Sequence, residues 1–125
     1  MVYINDFNKL IVYQKAYSLA MKIFEITKTF PKEEKYSLTD QIRRSSRSVT
    51  SNIAEAWSKR KYPKHFASKL TDSLGEEYET ENWLFYAKDC QYIDENTFNE
   101  LINDYLDVKK ILQSMINNPK KFIKY

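Results

Sequence analysis

With 125 residues, 42% of them hydrophobic and 30% charged, the chain is sized for one soluble domain around a single core. One glycine and three prolines are too few for the many turns of an all-β fold, and the lone Cys90 excludes an intramolecular disulfide. The formal net charge of +3 is mild, although its distribution is not. A single cysteine fits a reducing compartment. Asn5, Asp6 and Lys9 interrupt any apolar leader within Met1 to Leu10. No stretch approaches the ~20 apolar residues of a membrane span. The expected location is the cytoplasm, with no membrane partner. Ten tyrosines and seven phenylalanines fit either a core or half-buried interface surfaces.

Residues 1–6 read as a loose arm. Phe7 to Phe30 reads as a first helix, because Leu10, Tyr13, Tyr17, Ala20, Phe24 and Thr27 step by three or four, with Ala16 and Ile23 beside them. Lys15, Lys22 and Lys28 lie off that stripe, and Pro31 ends it. After the charged connection Lys32 to Tyr36, a second helix runs from Leu38 to about Ser58. Ser37 and Asp40 give a weak Ser-x-x-Asp cap signal. Leu38, Ile42, Val49, Ile53 and Ala56 form its apolar stripe. Beside that stripe runs a small polar one, Gln41, Ser45, Ser48, Asn52 and Glu55. Small polar groups at helical spacing suit close helix approach. They form either a buried hydrogen-bonded network, in which Glu55 takes Arg44 or another cation, or a subunit interface. Both readings are structural, and both are favoured over a ligand site.

Lys59-Arg60-Lys61-Tyr62-Pro63-Lys64 forms the corner to a third helix, with Pro63 in its first turn. That helix extends to about Asp89, roughly 40 Å at ~1.5 Å per residue. Phe66, Leu70, Leu74, Tyr78 and Phe85 mark its apolar line, and Gly75 implies close packing or a local bend. Asp94 or Asn96 caps a fourth helix, about 95–117, in which Phe98, Leu101, Tyr105, Val108, Leu112 and Met115 keep a heptad seam. Pro119 ends it, and Lys120 to Tyr125 reads as a fraying tail. Four amphipathic helices with short connections imply an all-α, antiparallel up-down-up-down four-helix bundle occupying residues 1–125 as one domain.

Little in the chain points to catalysis. Di-metal bundles need Glu-x-x-His, and the one histidine, His65, sits in the basic corner as a surface residue. Cys90 has Asp89 beside it but no histidine in register, and no Gly-rich phosphate loop occurs. Glu76, Glu77, Glu79 and Glu81 could pair for acid–base work, but nothing marks a substrate cleft; an enclosed pocket lined by Glu55 and Glu76 would be needed. The expectation is no enzyme, no metal and no cofactor. Charge is segregated instead. Arg43 to Lys64 holds seven basic residues against one acid, a balance of +6, and Glu76 to Asp104 holds nine acids against one base, a balance of −8. Either the two segments attract each other, within a bundle or between subunits, or the basic one meets a polyanion. In the second case Arg43, Arg44, Arg47, Lys59, Arg60, Lys61 and Lys64 contact phosphates, with Trp57, Tyr62 and Phe66 near enough to stack on bases.

The run Phe7…Leu10-Ile-Val-Tyr-Gln-Lys-Ala16, then Phe30-Pro31…Glu34…Leu38…Gln41-Ile-Arg-Arg44, then Ser48…Asn52-Ile-Ala-Glu55, resembles the 23S rRNA intervening-sequence proteins. Ser73-Leu-Gly-Glu76…Glu79-Thr80…Trp83-Leu84 and Tyr92-Ile93 continue the likeness, which spans about Phe7 to Met115. That family usually has glycine after Asn-Ile-Ala-Glu, where this chain has Ala56, so the second helix is expected to continue into Trp57. The resemblance implies a four-helix bundle assembling as a homopentamer. Its similarity to the accessory variability proteins of diversity-generating retroelements implies nucleic-acid binding alongside a reverse transcriptase. The family name records gene location and no chemistry. The expected function is a non-enzymatic homo-oligomer binding RNA or DNA through its basic surface. The alternative is a protein–protein scaffold, a reverse transcriptase or another protein being its partner, in which basic and acidic segments pair between subunits and Glu76 to Glu81 face the neighbour. Under either reading Gln41, Ser48, Asn52, Glu55, Glu76 and Glu79 are structural or interface residues.

Overall fold

The structure is a computed structural model that describes residues 6–122. Among these residues it holds four long helices and no strand: α1 (Ile11–Thr27), α2 (Leu38–Ser58), α3 (Pro63–Asp89) and α4 (Glu95–Asn117). Short 3-10 turns at Phe7–Lys9, Lys32–Glu34 and Pro119–Lys121 accompany them. Of the expected arm only Asp6 is described, and its carboxylate accepts the Phe7 amide at 2.8 Å. The last three residues of the expected tail also lie outside the described residues. Lys120 to Phe122 do not fray: Phe122 donates its amide to the Pro119 carbonyl at 3.1 Å and packs, half-buried, against the core.

The first helix is shorter than its periodicity predicts. Leu10 is buried with an extended backbone, φ −68° and ψ 132°, which separates the Phe7–Lys9 turn from α1. At the other end the amides of Lys28, Thr29 and Phe30 bond back three residues, tightening the exit before Pro31. The α2 cap also differs from the expected one. The Ser37 side chain caps no amide. The Glu34 carboxylate instead accepts the Leu38 amide at 3.3 Å and the Ser37 hydroxyl at 2.6 Å, and its second oxygen accepts the Tyr92 hydroxyl at 2.8 Å. Glu34 thus ties the α1–α2 connection to the α3–α4 turn. The Ser37 bond first, then Tyr92, holds its carboxyl below the usual range. The Asp94 carboxylate caps α4 through the Thr97 amide at 2.7 Å.

The α2 stripe and the α4 seam are buried as the periodicity predicts. In α3 the core line is a different one. Phe66, Leu70, Ser73, Glu77, Thr80, Leu84 and Ala87 are buried, whereas Leu74 is only half-buried and Tyr78 and Phe85 are about half exposed. In α1, Val12, Ala16, Leu19, Ala20, Ile23 and Thr27 are buried, and Tyr17 is exposed. In both helices the bulk of the aromatic rings drew the stripe away from a core line that passes through smaller residues. Gly75 serves no close packing: α3 runs through it unbroken, and a Cβ there would meet nothing within 4 Å. Ala56 is fully buried and α2 continues past it to Ser58, as expected.

The helices meet in four neighbouring pairs, and in each the contact partners fall in number along one helix as they rise along the other. Thr27 and Phe24 meet Arg43 and Arg47, while Ser45, Val49 and Glu55 meet Thr80, Ser73 and Lys69. Glu81 and Phe85 meet Lys109 and Phe98, and Lys15 and Lys22 meet Asp107 and Asp104. Among the described residues no helix is long and apolar enough to cross a membrane.

Candidate functional site

The corner between α2 and α3 is set by local bonding. The amides of Lys59, Arg60 and Tyr62 donate to the carbonyls of Ala56, Trp57 and Lys59 at 2.9, 3.2 and 2.8 Å. Pro63 then starts α3, its fixed φ suiting the first helical turn. With the backbone consumed in the turn, the side chains of Lys59, Lys61 and Lys64 extend into solvent. Arg60 is anchored differently: its guanidinium lies 4.6 Å from the Trp57 ring centre and donates to the Trp57 carbonyl at 3.0 Å. Pro119 and Lys120, from the turn after α4, stand beside this corner. Together with Tyr62, Pro63, Lys64, His65 and Ala67 they line an open groove of about 610 Å³.

The seven basic residues singled out from the sequence do not form one patch. Arg43 and Arg47 pack over Phe24 of α1 at 4.9 and 5.7 Å, and Arg43 Nε donates to the Thr27 hydroxyl at 2.7 Å. Arg44 is exposed on another face of α2. The corner set Lys59, Arg60, Lys61 and Lys64 begins twelve residues after Arg47, roughly 18 Å along the helix. What joins Lys64 there is Lys120, which sequence reading assigned to a loose tail. Among the described residues no carboxylate pairs with Arg43, Arg44, Arg47, Lys59, Lys61 or Lys64. The acidic segment finds its cations elsewhere, Asp104 at Lys22 and Glu81 at Lys109.

Of the polar stripe of α2 only Ser45 is buried and bonded across to α3, so the stripe as a whole is not a buried network. Gln41 and Glu55 are exposed, and Ser48 and Asn52 are half-buried. Asn52 Nδ2 donates to the Ser48 carbonyl at 2.9 Å. Glu55 pairs with Lys69 at 2.8 Å and not with Arg44, and the Lys69 hydrogen bond and charge hold its carboxyl below the usual range. The α3 acids nearby behave otherwise. Glu76 is half-buried, and burial first, then the Glu79 charge and hydrogen bond, push its carboxyl up. Glu79 is exposed.

The sequence reading placed no polar residue of α3 in the core, yet Ser73, Glu77 and Thr80 are buried there. Ser73 Oγ donates to the Val49 carbonyl at 2.7 Å, and the Thr80 hydroxyl meets Ser45 Oγ at 2.8 Å. Glu77 is fully enclosed, and burial, reinforced by Glu81 and opposed by Lys109, pushes its carboxyl up to about 9. Tyr105 lies fully buried in the same region, its phenol pushed upward by burial and by Glu77. Neither Glu77 oxygen nor the Tyr105 hydroxyl has hydrogen-bond geometry to a partner among the described residues. The available signal was positional. Ser73, Glu77 and Thr80 keep the same three–four step as Phe66, Leu70, Leu84 and Ala87.

The fold and its faces define a helical bundle with a polar mid-layer, an outward polar stripe and a basic corner. The family model of the 23S rRNA-intervening sequence protein matches residues 8–114, and the chain belongs to that family. A crystal structure of a protein of unknown function from the S23 ribosomal protein family of Bacteroides thetaiotaomicron is similar, with a TM-score of 0.78 at 31% identity. That match covers 86% of this chain and 96% of the other. No curated protein matches.

Proposed function

We propose that this protein is a non-enzymatic, homo-oligomeric bundle of antiparallel up-down-up-down topology that binds nucleic acid through phosphate contacts at the α2–α3 corner. The observation that carries the reading is a run of exposed lysines at the corner that forms no ion pair among the described residues. Lys64 and Lys120 line one groove, Lys59 and Lys61 are exposed in the run before Lys64, and the chain carries no carboxylate from Ala56 to Thr71. Such a cluster repels itself and is relieved by a polyanion. Arg43 and Arg47, committed to Phe24, contribute less than their number suggests. The opposed register of contacts in all four helix pairs supports the topology. Membership of the family supports assembly, with five subunits the number its resemblance implies.

Anisotropy titrations of generic RNA and DNA, as strands and duplexes, over a salt series test the binding. Affinity is expected to fall linearly on a log–log plot, and Lys59→Glu with Lys61→Glu and Lys64→Glu to flatten that slope by about 3. Absence of binding at low salt would overturn the reading. The scaffold alternative rests on a separate observation, the outward stripe Gln41, Arg44, Ser48, Asn52 and Glu55, whose small polar members leave a helix face open to close approach. On that reading the corner substitutions leave the mass unchanged and Arg44→Glu lowers it.

A further inference from the structure

We propose that the groove beside the corner receives an unstacked nucleobase, so that the ligand is single-stranded nucleic acid; this deepens the nucleic-acid reading above and rests on it. The groove has an apolar floor and a cationic rim. Tyr62, Pro63, Ala67 and Pro119 line it with rings and a methyl group, and Lys64 from α3 and Lys120 from the turn after α4 line it too. Its volume, about 610 Å³, lies within the roughly 300–1,000 Å³ of sites that enclose small ligands. Tyr62 and His65 lie one helical turn apart, ring centres 5.9 Å from each other and planes tilted by 52°. Tyr62 is 59% exposed, which leaves much of its ring accessible from the groove.

The two features have complementary partners in one ligand. A nucleobase is flat and apolar on both faces and stacks on an aromatic side chain whatever its sequence. The phosphates on either side of it carry the negative charge that Lys64 and Lys120 would meet. A duplex offers the phosphates but keeps its bases paired, and its grooves show edges and not faces. A concave aromatic floor is therefore matched only by a strand whose bases can turn out. No carboxylate lines the groove to repel a phosphate.

The test is direct comparison of strands and duplexes of equal length on the full chain. Oligonucleotides carrying one 2-aminopurine report stacking by loss of fluorescence. Strands are expected to bind at least about tenfold more tightly than duplexes, with the 2-aminopurine quenched. Tyr62→Ala is expected to weaken strand binding by about five- to a hundredfold, and Ala67→Trp, which fills the groove, to do the same. Duplex binding and its salt slope should hardly change in either variant. Circular dichroism confirms that each variant keeps its helices, and Tyr62→Phe, which keeps the stacking face, should retain wild-type affinity. Equal binding of strand and duplex, with neither variant altering it, overturns the base groove and leaves phosphate binding at the corner standing. Loss of all binding to the wild-type protein at low salt overturns both.

Discussion

Glu77 is a carboxyl placed where the helical repeat asks for an apolar residue, and its consequences are measurable. It is fully buried between Ser73 and Thr80 on the inner line of α3. Folding removes it from water, so the native state holds its proton to about 9 while the unfolded chain releases it near 4.5. Between those values the unfolded state binds fewer protons than the native one, so stability falls as pH rises. Glu34, Glu55 and Asp94 are lowered and act oppositely, but below the ordinary carboxylate range. Urea unfolding is therefore expected to give lower stability at pH 8 than at pH 5. Glu77→Leu should gain about 1–3 kcal/mol at pH 7, the cost of an unpaired buried polar group, and lose most of that slope. An unchanged slope in the variant would place the titration elsewhere. Gln91 is a second residue under local constraint. It holds φ at 64° at the end of α3, where the Tyr92 amide reaches back to Ala87 and the Gln91 amide to Lys88. This is the left-handed helix ending that glycine suits. Gln91→Gly should raise stability by about 0.5–1 kcal/mol, the left-handed strain relieved less the added freedom of the unfolded chain. A drop in thermal midpoint would show that the side chain contributes more than the strain.

Among the elements, α4 and α3 show what periodicity carries and where it fails. The α4 seam was fully legible, because every member from Phe98 to Met115 is large and the step never varies. The same step runs through α3, but its middle members are Ser73, Glu77 and Thr80, which no hydrophobic count marks as core. Leu74, Tyr78 and Phe85 offered a more conspicuous line about one residue round the helix. The site divides in the same way. The local turn that presents Lys59, Lys61 and Lys64 was visible in the run before Pro63. The joining of Lys120 to it was not, because that contact depends on where α4 ends in space. The packing difference has an energetic signature. Leu70→Ala should cost about 2–5 kcal/mol, as fully buried leucines do. Tyr78→Ala, from a half-exposed ring that touches Lys109 at 4.7 Å, should cost about 1 kcal/mol or less. Equal losses would restore the aromatic line as the true core.

At the scale of the whole molecule, acids of the second half of the chain meet cations across helix pairs, while Lys59, Lys61 and Lys64 form no ion pair among the described residues. Lys15, Lys22 and Lys109 meet Asp107, Asp104 and Glu81 across helix pairs. The exposed pairs at Lys15 and Lys22 contribute about 0–1 kcal/mol each, so their effect is to neutralise the acidic helices more than to bind them, whereas Lys109 and Glu81 meet mostly buried. That leaves the corner lysines and most of the outward stripe of α2 at the surface, Glu55 being the stripe member that pairs with α3 through Lys69. Ser48 lies at the centre of the stripe, half-buried, with Asn52 one turn on and bonded to its carbonyl. A small side chain there costs the monomer nothing and permits another helix to approach closely. If assembly uses this face, Ser48→Arg should reduce the mass measured by light scattering to that of a monomer, because a long charged side chain holds the neighbour off. The helical signal should persist, since Ser48 lies outside the core line of α2. Strand binding by the resulting monomer should weaken but not vanish, because each subunit keeps its own corner and groove and loses only the gain from several linked sites. A mass unchanged by the substitution would remove the stripe from the assembly and leave the small polar residues of α2 without a partner.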